Sequence, residues 1–111
     1  MMLRMKPEYI ELTRQRKKTA TTRLKDKGLG KVYELVSGSL FHPVKSGIRI
    51  KIFAVREWTL ATITERDKEF LYQSEGFPNW NRFWDVLTEI NKNKKIDSHT
   101  VFFSHWYDVI E

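Results

Sequence analysis

The sequence predicts an α+β fold of about five or six strands with two to three helices, in a single domain spanning residues 1–111. Three observations predict it. Ile48, Ile50 and Ile52 alternate with Arg49, Lys51 and Phe53, the period of two that marks a strand with one buried face. Trp80, Phe83, Trp84, Leu87 and Ile90 recur at i, i+3, i+4 and i+7, the apolar stripe of a helix. A chain of 111 residues is long enough for one hydrophobic core and too short for two domains.

In chain order, Pro7 suits the first turn of a helix, where its missing N–H would have no partner. Tyr9, Ile10 and Leu12 then give Glu8 to Arg16 one partly apolar side. Thr19, Thr21 and Thr22, with Leu24 beyond them, carry the β-branched preference for a pleated backbone, so a strand follows directly. Gly28 and Gly30 punctuate a charged loop, spaced as ordinary turn residues without a phosphate-loop signature. Val32, Tyr33, Leu35 and Val36 read as the next strand, and Ser37 to Ser46 as a turn-rich stretch broken by Gly38 and Pro43. The isoleucine strand continues through Ala54, Val55, Trp58 and Leu60 with a bend or bulge. Thr64 is placed to cap a helix holding Phe70, Leu71 and Ser74, which Gly76 stops. Pro78-Asn79 restarts the chain into the Trp80–Ile90 helix, whose aromatic stripe is more readily core than a base-stacking surface. Past the charged turn Asn91 to Lys95, Thr100 to Tyr107 is rich in β-formers and reads as the closing strand.

Twenty Lys and Arg against fourteen Asp and Glu give a net charge of +6 and an isoelectric point near 9.7. Such a balance favours polyanionic partners, although a small domain also needs net charge simply to stay in solution. The distribution decides: basic residues crowd between Arg4 and Lys31, around the threonine strand. With no cysteine, disulfides and thiolate metal sites are excluded, and His42, His99 and His105 are too scattered for a zinc cluster. Neither a metal nor a cofactor is expected. No apolar run approaches the ~20 residues of a membrane span, and Met1 to Lys6 lead into polar sequence without a secretory stretch, so a cytoplasmic protein is expected.

The candidate chemistry lies in Arg16-Lys17-Lys18-Thr19-Ala20-Thr21-Thr22-Arg23 and, far downstream, Gln73-Ser74-Glu75-Gly76-Phe77. Together they supply a cation, hydroxyls and a carboxylate, the minimum of a polar pocket. On a strand, Lys18, Ala20 and Thr22 face one way and Thr19, Thr21 and Arg23 the other. Lys18 and Thr21 therefore share a site only if the strand is bulged or Lys18 sits at the turn entering it. Glu75, at the end of its helix, opposes the helix dipole, which points to a positive partner such as Lys18.

Read as a set, Lys17 to Arg23, Glu75-Gly76-Phe77 and the closing Tyr107-Asp108-Val109-Ile110 resemble the ASCH domain, of the PUA-like superfold, over roughly residues 5–111. Lys18, Thr21 and Arg23 fall on the fixed positions of its GxKxxTxR motif, and Arg16 stands where the motif has Gly. The resemblance implies a small mixed β-barrel with a cleft that binds RNA, a nucleotide or a modified nucleobase. Lys17, Lys18, Thr19, Thr21, Arg23 and Glu75 would contact that ligand. Short members of the family look like amidohydrolases that deacetylate acetylated cytidine nucleosides, which would carry catalytic roles onto Lys18, Thr21 and Glu75. Another branch is reported as a ribonuclease, so the resemblance alone leaves the reaction open.

Chemically, Lys18 would activate Thr21 for attack on an acetyl carbonyl while Glu75 shuttles the proton to the departing amine, with no metal required. Lysine acts as a base only in its neutral form, so this demands a depressed pKa. Arg23 suits a phosphate, a carbonyl or a structural carboxylate. His99 and His105 would fall on one side of a regular final strand, but a separation of about 15 Å or more keeps them from one phosphate. A protein-interaction module built on exposed aromatics is a third class. Salt separates them: phosphate binding weakens steeply as salt rises, while a nucleoside hydrolase is nearly indifferent.

Overall fold

Five strands and three helices make up the computed structural model, which describes residues 1–110. The chain runs β1 (Met2–Arg4), α1 (Pro7–Arg14), β2 (Ala20–Arg23), β3 (Val32–Gly38), β4 (Pro43–Trp58), α2 (Glu65–Ser74), α3 (Trp80–Ile90) and β5 (Phe102–Ile110). The strands form one mixed sheet in the order β1-β3-β4-β5-β2. Only the β1–β3 pair is parallel. The α+β class and the element count follow the sequence. The sheet is not closed into a hydrogen-bonded barrel: β1 and β2 remain as its two edges.

Local chemistry explains the elements. Ile48, Ile50 and Ile52 are buried and Arg49, Lys51 and Phe53 exposed, as alternation requires. Thr64 caps α2 by accepting from the Asp67 N–H at 3.1 Å, and Asn79 caps α3 by accepting from the Arg82 N–H at 2.8 Å. The turn-rich stretch contracts to a tight connection, because β3 extends to Gly38 and β4 begins at Pro43. A strand at Met2–Arg4 was not foreseen: three residues show no periodicity, and its partner β3 lies far along the chain. Thr100 stays outside β5, and His99 lies in the turn before it, so His99 and His105 do not share a strand.

Two cores share β4. Ile48, Ile50, Ile52 and Tyr107 pack with Leu3, Met5, Ile10 and Leu35 beneath α1. Trp58 and Phe102 pack with Leu71, Phe83 and Leu87 beneath α2 and α3. A bulge separates them: Ile52 pairs with Tyr107 and Ala54 with Trp106, leaving Phe53 as an extra residue on β4. Among the described residues, no helix is long and apolar enough to cross a membrane, and no three His, Cys, Asp or Glu side chains are grouped to hold a metal ion.

Candidate functional site

Two helix ends deliver the central pair. After α1 the chain turns through Arg16, whose φ of 63° is left-handed. The Arg16 and Lys17 N–H groups bond back to the Thr13 and Leu12 carbonyls at 3.0 and 2.9 Å, the 5→2 and 6→1 pattern of a Schellman stop. The turn that glycine would favour is therefore made with an arginine in its place. Two residues on, Lys18 sits ahead of β2, at the turn entering the strand. After α2, Gly76 (φ 85°) makes the same stop, with its N–H on Gln73 and that of Phe77 on Tyr72 at 3.0 and 2.9 Å. Glu75 is the cap residue between. The two turns touch: the Thr19 N–H donates to the Ser74 carbonyl at 2.7 Å, and a Cβ on Gly76 would stand 3.2 Å from the Lys17 carbonyl oxygen.

Lys18 and Glu75 form a buried ion pair, Nζ to Oε1, each about 4% exposed. Lys18 Nζ also lies 5.5 Å from the centroid of the Tyr9 ring. The second carboxylate oxygen of Glu75 accepts from the Thr22 hydroxyl at 2.6 Å. Both oxygens are thus engaged, which offsets the cost of burying charge.

Thr21 and Arg23 occupy the other face of β2. Arg23 Nε donates to Thr21 Oγ1 at 3.2 Å, and its Nη2 donates to the Arg4 carbonyl at 2.7 Å. Burial pulls the Arg23 pKa below its ordinary value, and the field of Glu75 partly restores it. Beneath Thr21, His105 faces the Thr21 carbonyl through Nδ1 at 3.2 Å and accepts from the Lys27 N–H through Nε2 at 2.9 Å. Nε2 can accept that N–H only when it carries no proton, and desolvation lowers the His105 pKa below its ordinary value. The Tyr107 hydroxyl shares a 2.7 Å hydrogen bond with Thr13, and burial raises its pKa far above the ordinary phenol.

Lys18, Glu75, Thr21, Thr22, Arg23 and Tyr9 line a cavity of about 470 Å³, while His105, Tyr107 and Thr13 lie outside its lining. Its lining includes the basic residues Arg4, Lys6 and Arg23, the aromatic and apolar residues Tyr9, Phe77, Phe83 and Leu87, and the polar groups of Lys18, Thr21, Thr22 and Glu75. Consecutive residues of β2 reach it because β2 is an edge strand, so Thr21 and Lys18 need not share a face. Of the residues singled out from sequence, Lys18, Thr21, Arg23 and Glu75 come together here. Lys17 is exposed and outside the lining, and Thr19 turns its hydroxyl toward the Ser74 carbonyl at 3.5 Å. Thr22 and Tyr9 were not singled out. The parity of β2 held the signal for Thr22, since it shares a face with Lys18.

No family model matches the chain, and no curated protein does so by sequence. Solved structures do match. The protein EF3133 from Enterococcus faecalis V583, of the family model DUF984, superposes with a TM-score of 0.69 at 14% identity, over 93% of this chain and 70% of that one. An ASCH protein from Zymomonas mobilis gives 0.62 at 14% identity over 96% and 65%, and an ASCH domain from Lactobacillus crispatus JV V101 gives 0.58 at 13% identity over 89% and 68%. The chain has the ASCH-domain fold.

Proposed function

We propose that this ASCH-fold chain binds a single nucleobase, free as a nucleoside or nucleotide or carried unpaired on RNA, in the cavity between β2, α1 and α3. The observation that carries the reading is the composition of that cavity. A space of about 470 Å³ lined by aromatic and apolar side chains together with Lys18, Thr21, Arg23 and Glu75 suits a planar ring with polar edges. The basic residues Arg4, Lys6 and Arg23 are placed to meet a phosphate where one is attached.

Titration calorimetry with cytidine, acetylated cytidine and a short single-stranded RNA tests the reading. Binding of at least one, weakened by Lys18→Ala and Glu75→Ala, is the expected result. If none binds the wild type at low or moderate salt, the proposal fails. A steep salt dependence assigns RNA or nucleotide; indifference to salt assigns the nucleoside.

One observation favours a second reading, metal-independent deacylation of an acetylated cytidine: the Thr21 hydroxyl lies on the same cavity as the Lys18–Glu75 pair. In that reaction Lys18 yields a proton to Glu75 and then accepts the Thr21 hydroxyl proton. Thr21 Oγ1 attacks the acetyl carbonyl, the amine departs with a proton, and water releases acetate from the threonine. Release of free cytidine, followed by chromatography and lost in Lys18→Ala and Thr21→Val, distinguishes turnover from binding alone.

A further inference from the structure

Glu75 is held by more than the residues around the cavity. Thr22, on β2, lies directly opposite Ser104 on β5, and their hydroxyls are 2.7 Å apart. Ser104 Oγ in turn accepts from the indole N–H of Trp58 at 2.8 Å. Proton bookkeeping sets the direction of each bond. The Glu75 carboxylate, paired with an ammonium, accepts only, so the Thr22 hydroxyl spends its proton there. Thr22 must then receive from Ser104, and Ser104 must receive from Trp58, whose indole nitrogen donates only. Three donors therefore point the same way, Trp58 to Ser104 to Thr22 to Glu75, and each bond polarises the next toward the carboxylate. Every member is buried: Ser104 is fully enclosed and Trp58 is 9% exposed.

We propose that Ser104 and Trp58, neither of which lines the cavity around Glu75, are positioning residues for the Glu75 carboxylate. They fix the rotamer of Thr22, and so the orientation in which Glu75 holds the Lys18 ammonium at the cavity wall. The far end of the relay is anchored by packing: the Trp58 ring stacks on Phe102 at 5.0 Å and meets Trp80 edge-on at 5.8 Å. The functional consequence rests on the nucleobase-binding reading; the relay itself does not.

The experiment follows the Trp58 indole N–H resonance by NMR in the full chain, without ligand. Glu75→Gln shifts that resonance in the wild-type background, and Thr22→Val does the same should Glu75→Gln fail to fold. In a Ser104→Ala background neither substitution moves it, and Thr22→Ser, which keeps the hydroxyl, leaves it near its original position. A Trp58 resonance indifferent to Glu75 and Thr22, or equally responsive with and without Ser104, overturns the proposal. Ligand titration adds the functional arm: Ser104→Ala and Trp58→Phe weaken nucleoside binding by about tenfold, the equivalent of one hydrogen bond. Unchanged affinity in both overturns the positioning role even where the resonances are coupled. Failure of the wild type to bind any nucleoside sinks the nucleobase reading and leaves the resonance test standing.

Discussion

The guanidinium of Arg23 on β2 donates to the backbone carbonyl of Arg4 on β1, 2.7 Å away, and so joins the two edges of a sheet that does not close. The same side chain holds the Thr21 hydroxyl through Nε. Arginine suits this place because its planar fork presents donors in two fixed directions at once. Arg23→Lys keeps the charge and loses one of the two bonds, for a cost of about 1–3 kcal/mol in urea denaturation. Affinity for a ligand of the cavity falls with it.

The Lys18–Glu75 pair gives a second expectation. Lys18→Met leaves the Glu75 carboxylate buried without its cation, and the cost should reach about 3–5 kcal/mol. Adding Glu75→Leu removes the orphaned charge and recovers much of that loss, even though no contact is restored. A double-mutant cycle by chemical denaturation checks both figures. A double variant no more stable than Lys18→Met would show that the pair is not the electrostatic unit described.

Backbone conformation gives a third. Arg16 holds a left-handed φ of 63°, at a cost that glycine would not bear. Arg16→Gly should therefore stabilise by about 1 kcal/mol and raise Tm by a few degrees. Gly76→Ala should do the reverse, since φ is 85° and the added Cβ would crowd the Lys17 carbonyl oxygen at 3.2 Å. Thermal denaturation of the two variants side by side should move Tm in opposite directions.

His105 makes stability depend on pH. Its folded-state pKa is held below the ordinary 6.5 by burial, so in mild acid the unfolded chain binds a proton that the folded chain refuses. The contribution is fully present above pH 6.5 and drains away as pH falls from there through the folded-state value. Urea midpoints measured between neutral and mildly acidic pH should fall, and His105→Asn should flatten that slope. NMR titration of the His105 ring protons should give a midpoint below 6.5 in the folded protein.

Much of this architecture could be read from the residues, for reasons that differ by element. Ile48, Ile50 and Ile52 face a core on every second residue, so their strand is written in the local pattern. Phe83 and Leu87 likewise bury one side of α3. Glu75 at a helix end, set against the dipole, points toward a cation from its place in the sequence alone. By contrast, β1 is too short to carry a period, and open versus closed sheet edges depend on long-range geometry. Thr22 was passed over because the motif led to Thr21, although parity placed Thr22 beside Lys18. Ser104 and Trp58 had no local signal at all, since their roles arise only when β5 lies between β2 and β4.

The extra residue at Phe53 has a consequence for how this chain tolerates change in length. Before it, even-numbered positions of β4 fill the core under α1; after it, Val55 packs toward that core while Trp58 turns to the other. One residue is thus absorbed as a bulge, and deleting it would join Ile52 to Ala54 in a regular ladder, with each downstream residue of β4 keeping its partner on β5 and its side of the sheet. Trp58 would keep its aromatic neighbours and its bond to Ser104, and the strand would lose the local bend that the bulge provides. Substitution or removal of the exposed Phe53 should therefore be forgiven more readily than a one-residue deletion among Ile48 to Ile52, which would shift the pairing and turn the isoleucines out of their core.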